Sequence, residues 1–94
     1  MEYKEIHKLK ALLEVMEVPF EFRPLHDGYQ ICYPNIENRV CSAVQHYFSY
    51  GNEEDRIEIM GLLTEGEAEC DEVVGYLTAD EVLHRICKHY RGEK

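Results

Sequence analysis

The stretch Phe20-Glu21-Phe22-Arg23-Pro24-Leu25-His26-Asp27-Gly28-Tyr29-Gln30-Ile31-Cys32-Tyr33 decides the fold class. Phe20 to Arg23 alternates apolar and polar residues with period two, the pattern of a half-buried strand. Asp27-Gly28 is a tight-turn signal. Tyr29 to Tyr33 alternates again and puts Tyr29, Ile31 and Tyr33 on one face. Pro34 to Asn38 is a loop rich in turn formers. Arg39 to Tyr47 supplies a third strand, in which Val40 and Val44 share a face with Ser42 and His46. A hairpin symmetric about its loop makes Cys32 and Cys41 neighbours on one face.

Outward from this hairpin core, helical periodicity takes over. Residues 3–17 carry Ile6, Leu9, Leu13 and Met16 at spacings of three and four, with Leu12 widening the stripe. Pro19 ends that helix, because a proline pushes the residue before it out of the α region. On the other side, the aromatic run Tyr47-Phe48-Ser49-Tyr50-Gly51 is expected to close one end of the core. Asn52 suits the N-cap of a second helix at 53–63, whose inward residues are Ile57, Met60, Leu62 and Leu63. Thr64 to Asp71 is an acidic connection. Thr78 and Glu81 have the spacing of a capping box and open a third helix to Tyr90, with Val82, Leu83, Ile86 and Tyr90 facing the core. The expected fold is therefore α+β: one domain over residues 1–94, in the order α-β-β-β-α-α, with a three-stranded antiparallel sheet packed against helices.

Charge is distributed unevenly. The net charge is −9, yet between Glu53 and Glu81 eleven acidic residues face one base, Arg56, while the rest of the chain is near neutral. A localised anionic surface repels nucleic acid and attracts proteins that hold it. Direct nucleic-acid binding is excluded on this ground, since Lys4, Lys8 and Lys10 are interspersed with Glu2, Glu5 and Glu14. No apolar run reaches the ~20 residues of a membrane helix, and the charged N-terminus is unlike a secretory signal, so the expected location is the cytoplasm.

Four cysteines, Cys32, Cys41, Cys70 and Cys87, lie far apart without a C-x-x-C pair, and no disulfide is expected. A structural zinc needs four converging Cys or His ligands. Cys32 with Cys41 across the hairpin, and His84 with Cys87 on the last helix, are the candidates, but neither pair has the usual short spacing. The expectation is no cofactor, with zinc as the alternative. Cys41 lacks a histidine on its own strand face, since His46 is five positions away. No phosphate loop, nucleophile elbow or zinc-protease motif appears. The chain is expected to bind rather than catalyse.

The segments Ser49-Tyr50-Gly51, Ile57-Glu58-Ile59-Met60-Gly61-Leu62-Leu63-Thr64 and Val73-Val74-Gly75-Tyr76-Leu77-Thr78-Ala79-Asp80-Glu81-Val82 resemble small acidic proteins encoded by phages and prophages of Firmicutes. That likeness spans roughly residues 39–90 and carries no active site. In size, acidity and element order the chain is also similar to anti-CRISPR inhibitors of Cas9, a likeness of class without a shared motif. It implies an inhibitor of a host defence nuclease, or of another cationic nucleic-acid-binding protein, as monomer or homodimer. Glu53, Glu54, Asp55, Glu58, Glu65, Glu67, Glu69, Asp71 and Glu72 are the expected contact residues. The alternative is a phage accessory protein-binding module.

Overall fold

A computed structural model describes residues 2–92. Helix α1 (Glu5–Val15) leads into strands β1 (Glu21–Leu25), β2 (Gly28–Tyr33) and β3 (Cys41–Gln45). A single 3-10 turn at Asn52–Glu54 precedes β4 (Ile57–Met60), a short helix α2 (Glu65–Cys70), β5 (Val73–Leu77) and helix α3 (Ala79–Tyr90). The five strands form one antiparallel sheet in sequential order. The α+β class and the antiparallel hairpins agree with the sequence, but the sheet has five strands and the element order differs.

The second helix expected at 53–63 is instead the 3-10 turn and β4. Ile57 and Ile59 are fully buried while Glu58 and Met60 face away, so the segment has period two. Four residues fit either period, and two β-branched isoleucines favour the strand. Asp55, at φ 54°, also breaks any helix there. The acidic connection at 64–71 contains α2, opened by Thr64 and Glu67 in a capping box. Thr64-x-x-Glu67 is the same signature that marks Thr78-x-x-Glu81, whose capping box also forms. Val73 to Leu77, given no element above, supplies the fifth strand.

The hairpin turn sits one residue earlier than Asp27-Gly28. Leu25 pairs with Gly28, so His26 and Asp27 form the two-residue turn, with His26 at φ 57°. Gly28 answers to packing: a Cβ there would come within 1.9 Å of the Gln45 carbonyl oxygen.

Pairing of Ile31 with Ala43 and of Ala43 with Ile59 sets one central row of the buried face. Onto that face pack Ile6, Leu9 and Leu13 of α1 and Val82, Ile86 and Cys87 of α3. Each fully buried Ile, Leu or Val contributes about 1.5–3 kcal/mol of transfer free energy. Met16 and Tyr90, expected in the stripes, lie outside the core at the helix ends. Tyr33 pairs with Cys41 and Cys32 with Ser42. The two thiols therefore face opposite sides, because a one-residue change of register inverts every side chain.

Helix α1 begins at Lys4, which offers no side-chain acceptor. Its cap comes from distant residues. Asp55 Oδ1 accepts the backbone N–H of Lys4 at 2.9 Å and of Glu5 at 3.2 Å, and also the Gln45 side-chain N–H. The Gln45 Oε1 atom accepts the N–H of Ile6 at 2.9 Å. In turn, Glu5 Oε1 accepts the N–H of Ala79 at 2.8 Å and closes the start of α3. Burial works to raise the pKa of Asp55, but the bonds from Gln45, Glu5 and Lys4 outweigh it and hold it below the ordinary value. Asp55→Ala is expected to lower stability by about 1–3 kcal/mol, because it uncaps α1 and leaves the buried Gln45 amide short of a partner. Urea unfolding of the two proteins measures it; an unchanged midpoint would show the cap contributes nothing.

Candidate functional site

The expected contact residues fall into two groups rather than one row. Glu53 and Glu54 are exposed on the 3-10 turn, beside the N-terminal end of β4. Glu65, Glu69, Asp71 and Glu72 are exposed on α2 and the connection to β5, beyond its C-terminal end. With Ile57 paired to Leu77 and Met60 to Val73, the length of β4 separates the groups by on the order of 10 Å. Glu58 projects from the middle of β4, away from the helices, and its Oε1 accepts the N–H of Tyr50 at 3.0 Å.

Two more of the nine, both half-buried, are taken up by contacts within the molecule. Asp55 caps α1, as above. Glu67 faces Arg85 in a two-pronged pair, Nη1 to Oε1 at 2.7 Å and Nη2 to Oε2 at 2.8 Å, while its Oε1 also accepts the Thr64 N–H at 2.8 Å. The Arg85 bonds first, then the Thr64 N–H, hold the Glu67 carboxyl down at about 2. A further Arg85 bond reaches the Leu62 carbonyl at 3.1 Å. Elsewhere in the acidic segment, Asp80 pairs with Lys8 at 3.0 Å and Glu81 closes its capping box.

Helix α2 buries none of its side chains. Its capping box is local to its own first turn, and the Glu67–Arg85 pair, not apolar packing, ties it to α3. Among the described residues, Glu65, Glu69 and Glu72 receive no side-chain hydrogen bond. Their charge is presented outward from a fixed platform. On the neighbouring flank, a depression of about 470 Å³ between α3 and the β4–α2 connection is lined by Leu62, Leu63, Thr64, His84, Arg85, Lys88 and His89.

The zinc candidates do not converge. Cys32 and Cys41 lie on opposite sheet faces, His84 is exposed, and Cys87 is buried among core residues. No group of three or more His, Cys, Asp or Glu side chains converges as a metal site among the described residues. Burial pushes the Cys41 thiol up to about 12, so it stays protonated at neutral pH. All four cysteines are free thiols, and Cys70 alone is exposed.

The aromatic run expected to close the core does the reverse. Tyr47 and Phe48 are each 68% exposed and Tyr50 is 56% exposed, while Ser49 between them is buried. Tyr76 of β5, at 54%, and Met60, at 53%, extend the exposed set. Tyrosine and phenylalanine in sequence read first as core residues, so periodicity carries no sign of this surface. The turn residues Ser49 and Gly51 around Tyr50 are the available signal.

No protein-family model, curated protein or solved structure matches the chain. Among the described residues no helix is long and apolar enough to cross a membrane.

Two outcomes follow from this geometry. A disulfide-exchange reagent should titrate one thiol of four in the native protein and all four in denaturant; a second fast thiol would show that one buried site opens. Glu67 sits below its ordinary value of 4.5, so its stabilisation is complete above that pH and is lost as pH falls toward about 2. Melting curves across that range should fall less steeply for Glu67→Gln than for the parent chain. Equal slopes would remove the pair from the acid response.

Proposed function

We propose that this protein is a binding module that engages a cationic protein through the anionic platform of α2 and its connection to β5. The observation that carries this is the combination of exposed Glu65, Glu69, Asp71 and Glu72 with a helix that buries nothing. Core packing gives no reason for such a helix, whereas display of charge does. Glu67 belongs to the mounting, since its charge is met by Arg85. Carboxylates closely spaced on a rigid support match a cleft that normally accepts phosphates, which repeat every ~1.7 Å along duplex DNA. Attraction between such surfaces speeds association and weakens as salt rises.

The partner class is a protein with a cationic nucleic-acid channel. The likeness in size and acidity to anti-CRISPR inhibitors makes a host defence nuclease the first partner to test, with Cas9 as the specific candidate and inhibition as the consequence. The split between the two acidic groups favours contact centred on α2 over one continuous imitation of a DNA strand. A second reading, an accessory module for another host or phage protein, uses the same surface without competition with DNA.

Joint reversal of Glu65, Glu69, Asp71 and Glu72 to Lys should weaken nuclease binding by about a hundredfold and flatten its salt dependence, with the thermal transition retained. DNA should compete with the parent chain for the nuclease. Unchanged affinity in the reversed variant would overturn the proposal, and binding without competition would favour the accessory reading.

A further inference from the structure

The geometry points to a second contact surface, formed by Phe48, Tyr50, Tyr76 and Glu58, that takes an arginine-bearing segment of a protein partner. The surface lies on the sheet face opposite α1 and α3. Val44 and Glu58 are cross-strand neighbours on that face, and Glu58 holds the N–H of Tyr50. Tyr50 and Tyr76 adjoin through the Tyr76 N–H and the Tyr50 carbonyl at 3.4 Å. Phe48 packs against His26 and His46 of the same region, with ring centroids 5.3 and 6.3 Å away.

Two features separate this patch from incidental exposure. First, the loop that carries it is rigidly built. Ser49 is buried and its hydroxyl donates to the His46 carbonyl while accepting the His46 N–H. The N–H of Phe48 donates to His46 Nδ1, and that of Tyr47 to Asp27. Asn52 donates its side-chain N–H to the Ser49 carbonyl. With the backbone anchored inward, the aromatic rings face water without the ordering that a flexible loop would need on binding.

Second, Tyr76 is held in a conformation that its side chain disfavours. Between the pairs Ile57–Leu77 and Ile59–Val74 the sheet register shifts, so β5 bulges at Gly75 and Tyr76. Tyr76 stands there at φ 62°, a left-handed conformation that suits glycine. Gly75 cannot carry a side chain, since its Cβ would meet the Tyr50 Cβ at 2.4 Å. A bulge that re-aims an aromatic side chain into solvent, against its own backbone preference, is a feature of contact sites.

The occupant follows from charge. Glu58 within the patch, and Glu53 and Glu54 beside it, disfavour nucleic acid and a second acidic copy of this chain. Aromatic faces next to a carboxylate suit a guanidinium, which stacks on the ring while its N–H groups meet the oxygens. A lysine ammonium gains less from such a surface, because it is more strongly hydrated. This assignment shares with the proposed function only the cationic character of the partner.

The test titrates the isotope-labelled full chain with oligo-arginine and oligo-lysine peptides of equal length, following backbone amide shifts. Oligo-arginine should bind about fivefold tighter or more, with shifts at residues 47–50, 58 and 75–77. Tyr76→Gly relieves the left-handed strain, so it should melt no lower than the parent while losing the arginine preference. Tyr50→Ser provides a second variant with the net charge unchanged. Equal affinity for the two peptides, or shifts confined to 65–72, would overturn this surface while leaving the α2 proposal standing. Shifts at the patch that survive reversal of the α2 charges would uphold it as a surface independent of α2. Dimerisation of the free chain that Phe48→Ser abolishes would overturn it in favour of a second copy.

Discussion

Helix α1 starts with a lysine and cannot cap itself, and the rest of the structure is organised around supplying that cap. A helix leaves its first N–H groups without partners, and burying such an end requires acceptors from elsewhere. Asp55 and Gln45 provide them from the 3-10 turn and the end of β3. Gln45 is fully buried, so its amide is affordable only because both of its ends are bonded. The Glu5 carboxylate then carries the arrangement onward to the first N–H of α3. Three elements remote in sequence are thereby joined by hydrogen bonds at one end of the sheet, in addition to their apolar packing.

The same logic explains the treatment of the acidic segment. Eleven carboxylates in a short stretch repel one another, and the fold handles them in two ways. Some are turned into structural acceptors: Asp55 at α1, Glu67 against Arg85 and Thr64, Glu81 in its capping box. Others are sent to opposite ends of β4 and left in water. The exposed carboxylates then fall at both ends of β4, and the larger group, Glu65, Glu69, Asp71 and Glu72, is the one on α2 and its exit, where the proposed function is placed.

The two sheet faces differ in a complementary manner. One is filled by aliphatic side chains from α1 and α3 and makes no demand on solvent. The other buries Gln30, Cys32 and Val44 without a covering helix, with Arg23, Gln30 and Ser42 linked side chain to side chain across three strands. At its rim the loop from His46 to Asn52 turns aromatic rings outward. That loop is anchored by buried polar contacts rather than by burial of its rings, which is why large apolar residues can remain exposed on a well-ordered backbone.

Local signals in the chain determined α1 and α3 through apolar periods of three or more turns, and the first hairpin and the β3 region through short alternating runs bounded by turn residues. Thr64-x-x-Glu67 also announced a helix start, in a segment whose acidity masks it. Ile57 to Met60 was too short for periodicity to separate strand from helix, and the neighbouring β5, with only its Val73–Val74 pair as a hint, is a strand through pairing. Register could not be read locally either: whether Cys32 faces Cys41 depends on how β2 meets β3, and that is set by which residues the helices bury. Likewise the composition revealed where the negative charge lies along the chain, but tertiary pairing decided which carboxylates cap helices and which face solvent. The reason is physical: capping, ion pairing and strand register are interactions between residues far apart in sequence, and local periodicity does not encode them.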